Sequence, residues 1–261
     1  METTPPIPEA EIIPPSTTLG ARLLNIFAAP SDVFEELKSS PPSVANWLVP
    51  ALILMLVGML SSVIMFSQPS IAQSIREQQQ KVFEKQVSSG KMTQQQADQA
   101  VAMAEKFSGP GMLKLFGCVS AATTSFIMPF WSAFVLWLIA RFYLKVPLPF
   151  MKVLEVAGLT LMIVALAVVV KTLLVVVTGN LYAAPSLILL VKHFDPRNPV
   201  HSILAMFDVL TFWLLAVRAL GLAKLTGASF GKTAVAVFGL WLVITGLMIG
   251  FSLAVQAVFA K

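Results

Sequence analysis

The chain has 261 residues, of which 57% are hydrophobic and only 12% charged, and its mean hydropathy is +0.81. That is more apolar surface than a soluble domain of this length can bury, so a soluble fold is excluded. The net charge of +5 does not mark a nucleic-acid binder either, because the Lys and Arg residues are scattered at helix ends and form no stripe with interleaved aromatics.

Residues 1–18 form a Pro-rich tail without a basic region followed by an apolar run, which reads as disordered and as no cleaved signal. Over 19–42, Leu23, Leu24 and Phe27, then Val33, Phe34 and Leu37, recur at helical spacing around Ala29-Pro30-Ser31-Asp32. Two short amphipathic helices are expected, with Ser31 or Asp32 as an N-cap and Pro41-Pro42 as the stop. Their apolar faces rest either at the headgroup boundary or on the protein's own spans.

Residues 43–261 read as a transmembrane bundle. The first span, 47–67, carries no charge, and about 20 apolar residues suffice to cross the hydrocarbon layer. A polar segment, 68–112, follows as a helical hairpin turning at Ser88-Ser89-Gly90, its second arm opening with the capping box Thr93-x-x-Gln96. It is an ordered loop, a docking surface or an oligomer contact. The second span covers 113–141 and the third 153–177. Gly179-Asn180 and Pro185 then interrupt an apolar stretch, so 179–201 is read as interfacial or re-entrant, with a sixth span as the competing reading. Spans at 203–225 and 233–258 complete the chain. The fold class is all-α: a polytopic transmembrane helical bundle of five spans, since unbroken apolar runs lack the dyad pattern of barrel strands. Weighting the short loop 141–152 by the positive-inside rule favours a cytoplasmic N-terminus.

Four ionisable residues lie within spans, each costing about 2.5–3.5 kcal/mol at a helix centre. They are Glu155 and Lys171 in the third span and Asp208 and Arg218 in the fourth. Antiparallel neighbours bring Lys171 to the side of Asp208 and Glu155 to the side of Arg218. A Lys171–Asp208 ion pair locking the two spans is the sharpest expectation; snorkelling to headgroups is the plainer one, and a proton or substrate relay the least supported.

The run from Thr226 to Thr233 imitates a phosphate-binding loop but has three residues between Gly227 and Gly231 where four are needed, and a helix precedes it. Gly246 and Gly250 form a GxxxG suited to close helix packing. His193, Asp195 and His201 are separated by Pro196 and Pro199 and read as a solvated turn, not a metal site. The single Cys118 lies in an apolar span and supports no disulfide or thiolate site. No catalytic motif is present, so neither an enzyme nor a cofactor is expected.

Two regions carry a likeness to a known family. One is RLLNIFAAPSDVFEELKSSPPSVANWLVPALI, with its Pro-x-x-x-Phe element leading to Trp47 and Pro50; the other, NPVHSILAMFDVLTFWLLAVRALGLAKLTGASFGKTAVAVFGLWLV, holds Asp208, Trp213, Gly221, Lys232, Thr233 and Trp241. Over about residues 20–256 the chain resembles the YIP domain family of five-span integral membrane proteins, in particular its short prokaryotic branch. The resemblance implies a non-enzymatic membrane protein, a scaffold or a protein-interaction and membrane-organisation factor, whose partner is a membrane protein or a second copy. It implies a prokaryotic plasma membrane as the location. Eukaryotic relatives bind prenylated small GTPases, but the Asp-Leu-Tyr-Gly-Pro element typical of that branch is missing here, so GTPase binding is not carried over. A transporter or permease component using Lys171, Asp208 and Arg218 is the alternative.

Overall fold

Two ten-residue helices, α1 (Leu19–Ala28) and α2 (Pro30–Ser39), arise on either side of the predicted break. The computed structural model describes residues 17–191, 194 and 198–260 (backbone alone at 108, 252, 253 and 255–260); of the proposed histidine turn, His193 and Asp195 lie outside these, as do residues 1–16 of the tail. Thr18 accepts a bond from the Ala21 N–H to cap α1, and Pro30 opens α2 where a missing N–H costs nothing. The α2 N-cap is therefore Ala29, not Ser31 or Asp32; Asp32 sits in the first turn instead, where a carboxylate suits the helix dipole.

The first span is α3 (Ala45–Phe66), and the hairpin that follows is α4 (Pro69–Ser88) and α5 (Gln94–Ser108). The predicted capping box is formed, with Thr93 N–H donating to Gln96 Oε1 at 2.9 Å and Gln96 N–H to Thr93 Oγ1 at 3.2 Å. The second span is α6 (Pro110–Leu138), extended by a π-helical turn at Ile139–Tyr143. The third is split at Thr160 into α7 (Phe150–Leu159) and α8 (Leu161–Thr178). Gly179, in the left-handed region at φ 64°, closes α8.

Among the described residues, a 3-10 turn at Leu187–Leu190 and the short α9 (Pro199–Met206) are the helical elements before the fourth span, α10 (Val209–Thr226); the fifth is α11 (Phe230–Ala260). Five helices, and no sixth, are long and apolar enough to cross a membrane among the described residues. The fourth span begins at Val209 and not at 203, because Asp208 Oδ1 accepts the orphan N–H groups of Leu210 (2.8 Å) and Thr211 (3.0 Å). A carboxylate offered at that point starts a new helix in preference to continuing α9.

Successive spans alternate in direction. One end of the bundle, here the near end, therefore gathers α1, α2, the starts of α3, α7 and α11 and the end of α10, while α4, α5 and residues 179–191 and 198–208 lie at the far end. The largest apolar core is at the near end. Ile26, Phe34 and Leu37 are fully buried there with Val153, Leu159, Ala219 and Leu222. Each such side chain gains about 1.5–3 kcal/mol over exposure to water. These residues of α1 and α2 pack on the protein's own spans, while Leu24 of α1 stays 70% exposed.

The fifth span is the least packed, with 6% of its apolar window buried against 28–50% in the other four. A Cβ added at Gly246 or Gly250 would meet nothing within 4 Å among the described residues. Gly246→Ala should accordingly leave stability unchanged or raise it by less than about 1 kcal/mol, the helix-propensity gain; an SDS titration of the purified chain measures this.

A buried charge network at the near end

The short α7 opens the third span with Lys152 and Glu155 one helical turn apart, and both are buried, at 8% and 0% exposure. Glu155 receives everything around it. Its Oε1 accepts the Ser43 N–H at 2.7 Å and the Asn46 side-chain amide at 2.6 Å; its Oε2 lies 3.1 Å from Lys152 Nζ. Ser43 precedes the N-terminus of α3, so the carboxylate takes a free backbone donor there and faces the positive end of the dipole. Lys152 Nζ also donates to the Leu37 carbonyl at 2.6 Å, in the last turn of α2, where a cation is favoured. One ion pair therefore joins the end of α2 to the start of α3.

Asn46 carries the network outward, since its Oδ1 accepts from Arg22 Nη1 at 3.4 Å, and Arg22 Nη2 pairs with Glu36 Oε1 at 2.7 Å. Glu36 also accepts from the Thr17 N–H and, through a very short bond, from the Thr17 hydroxyl. Beside it, Lys224 near the end of α10 pairs with Glu35 of α2 at 3.0 Å. Five elements are thereby tied: α1, α2, α3, α7 and α10.

The outer carboxylates respond to pH. Burial pushes Glu36 up, but the hydrogen bonds from Arg22 and Thr17 outweigh it and hold the carboxyl below its ordinary 4.5. Glu35 is lowered by the hydrogen bond and charge of Lys224. A carboxylate with a depressed folded pKa adds stability that is present above the unfolded value and lost as pH falls through the folded one. The docking of α1 and α2 should weaken on acidification below about pH 4.5 and not on mild alkalinisation; melting midpoints between pH 7 and pH 4 test this, with Glu36→Gln expected to flatten the fall.

Of the four charges singled out in the sequence, only Glu155 belongs to this network. Arg218, midway along α10, meets Thr160: its Nε donates to Thr160 Oγ1 at 3.2 Å. The Thr160 hydroxyl donates in turn to the Ala157 carbonyl at 2.8 Å, at the joint between α7 and α8. Arg218 Nη2 is buried without a partner. The expected Lys171–Asp208 ion pair is not made. Asp208 caps its own helix, and Lys171 is exposed on α8, about 10 Å along the helix from Thr178, within snorkelling reach of that end.

Lys152 and Asn46 were not singled out in the sequence. The signal for them was a Lys-x-x-Glu step at the start of a span and an amide beside Trp47, the residue that begins another.

Close helix contacts hold the network in place. A Cβ at Gly158 would collide with Trp47 and come within 2.8 Å of the Asn46 carbonyl, which Pro50 leaves without its usual helical donor. A Cβ at Gly221 would meet Val156 at 2.6 Å and the Phe34 ring at 3.1 Å. Trp47 packs edge-on against Phe130, Trp213 lies 6.0 Å from Phe27, and Lys232 sits over the Tyr143 ring. Residues 227–229 form the turn joining α10 to α11, with Gly227 left-handed at φ 72°, and α11 begins at Phe230 within the glycine-rich run. Among the described residues, no three His, Cys, Asp or Glu side chains gather as metal ligands.

Five apolar spans, a polar hairpin and a pair of N-terminal helices docked by buried charges define an integral membrane protein of the polytopic helical class. The model of the Yip1 domain matches residues 24–252, and the chain belongs to that family. No curated protein and no solved structure matches it.

Proposed function

We propose that this protein is a non-enzymatic membrane scaffold, acting in protein interaction or membrane organisation through its packed bundle and extramembrane helices. The observation that carries this reading is how the buried charges are used. Glu155 and Lys152 join α2 to α3 and α7, and among the described residues no titratable chain links them to the far end, where Asp208 serves as a cap. Such charges fix shape. The alternative, a transporter or permease component using Lys171, Asp208 and Arg218, would need those groups to converge on a path, and they are dispersed. The setting is a bilayer, read as a prokaryotic plasma membrane with a cytoplasmic N-terminus. The partner is another membrane protein or a second copy, received on the polar hairpin, where Met103 and Phe107 are 68% and 60% exposed; neither nucleic acid nor a small GTPase is proposed.

Photo-crosslinking from positions 103 and 107 in native membranes, paired with proton and ion flux in proteoliposomes, tests this. A discrete protein adduct abolished by Met103→Lys, with no flux above protein-free vesicles, is expected. Flux that depends on Arg218 or Asp208 would replace the scaffold reading by the transport one.

A further inference from the structure

Arg218 is 9% exposed, with Nε on Thr160 and Nη2 buried and unpaired. Within 4 Å it has no carboxylate among the described residues. A lone cation inside a span is retained only where something answers its charge. Beside it lies a cavity of about 160 Å³ between α6, α10 and α11, lined by Trp131, Ser132, Leu215, Val237 and Trp241 as well as Arg218. That is an order of magnitude more than one water requires.

The cavity does not stand alone. Trp241 also lines a second one, of about 530 Å³, along the same seam of α10 and α11, whose walls include Phe212, Phe238, Leu242 and Gly246 and, among the described residues, no charged one. Phe212, Leu215 and Arg218 are spaced three apart on one stripe of α10, so the apolar groove runs toward the guanidinium. Trp131, which lines the first cavity, is itself 58% exposed on the second span, on a surface that a bilayer would cover. A polar end with an unanswered positive charge, an apolar channel leading from it and a lateral mouth together describe a ligand with an anionic head and a hydrocarbon tail.

We propose that the cleft between α6, α10 and α11 binds a membrane-resident anionic amphiphile, its carboxylate or phosphate on Arg218 and its alkyl chain along the groove beside Trp241. Thr160 is the positioning residue: by accepting from Nε it turns the remaining guanidinium donors toward the cleft. Ser132 supplies the second polar group there. This inference does not depend on the scaffold reading.

The test uses the full chain, delipidated in detergent and examined by native mass spectrometry with oleate, phosphatidylglycerol or phosphatidylcholine, and separately with inorganic phosphate. At least one of the two anionic amphiphiles is expected to be retained one per chain and at least tenfold better than phosphatidylcholine, and inorganic phosphate not at all. Which is retained separates a free carboxylate from a phosphodiester head. Arg218→Gln should lower retention at least tenfold, while Lys224→Gln, two turns further along α10, should leave it unchanged. Should Arg218→Gln fail to fold, Ser132→Leu fills the cleft with the cation intact and should displace the amphiphile equally. Equal retention of phosphatidylcholine, retention indifferent to both cleft variants, or binding of inorganic phosphate alone would overturn the proposal. So would a dimer, formed without amphiphile and lost in Arg218→Gln, because a protein carboxylate would then occupy the cleft.

Discussion

Glu155→Ala is expected to destabilise the folded chain by about 3–5 kcal/mol, the cost of breaking a buried ion pair by removing one partner. The loss is large because the carboxylate has no substitute. Lys152 Nζ pairs with it, the Ser43 N–H and the Asn46 amide donate to it, and each loses that partner in the variant. Removing both charges together should be far milder. Glu155→Met combined with Lys152→Met eliminates the unpaired ammonium, and buried pairs exchanged for apolar residues of similar size are often close to neutral. The Leu37 carbonyl and the α3 N-terminus would still lose their partners, so recovery should be partial. Unfolding by SDS titration of the wild type, the two single variants and the double variant measures the set. A double variant as unstable as Glu155→Ala would show that the carboxylate's hydrogen bonds, and not its charge pairing, dominate.

Gly158→Leu is the second large effect. Even the first carbon of a side chain at 158 collides with Trp47 and the Asn46 carbonyl, and both contacts involve backbone that cannot step aside as a flexible side chain would. Overpacking of this kind costs about 1–3 kcal/mol for a methyl group and more for a bulkier one. That outweighs the roughly 1 kcal/mol by which a better helix former would help. Because Asn46 belongs to the same turn, the displacement should also lengthen its 2.6 Å bond to Glu155 and loosen the N-terminal helices. The comparison with Gly246→Ala is informative, since both glycines lie in spans and only Gly158 touches a neighbour. Equal melting behaviour of Gly158→Ala and the wild type would contradict the close approach of α3 and α7.

Much of the fold was legible because lipid imposes so strong a constraint. An unbroken apolar run must be a helix when water cannot satisfy its backbone, and the five spans follow from that alone. The hairpin was legible through local chemistry, Thr93 and Gln96 meeting over three residues. The charged site was half legible. Glu155 stood out as an acid inside a span, but its partners are 109 and 112 residues away in Asn46 and Ser43. No periodicity reports a contact of that range. Lys152, near the start of a span, looks like any cation flanking a membrane helix.

The Lys171–Asp208 expectation failed for a different reason. Matching charges by membrane side ignores local competition, and an aspartate just ahead of a helix has backbone donors two and three residues away that need no other span. The same competition moved the start of the fourth span from 203 to Val209. For α1 and α2, amphipathicity identified Phe34 and Leu37 as buried but could not say whether lipid or protein would cover them.

The claim on which the rest turns is that buried charges around Glu155 dock the N-terminal helices onto the bundle. Hydrogen–deuterium exchange of the full chain in lipid nanodiscs, compared between wild type and Glu155→Ala, tests it most directly. Slow exchange across 19–39 in the wild type, lost in the variant while α6 stays protected, is the predicted result. Unchanged protection of 19–39 in a folded Glu155→Ala chain would contradict it.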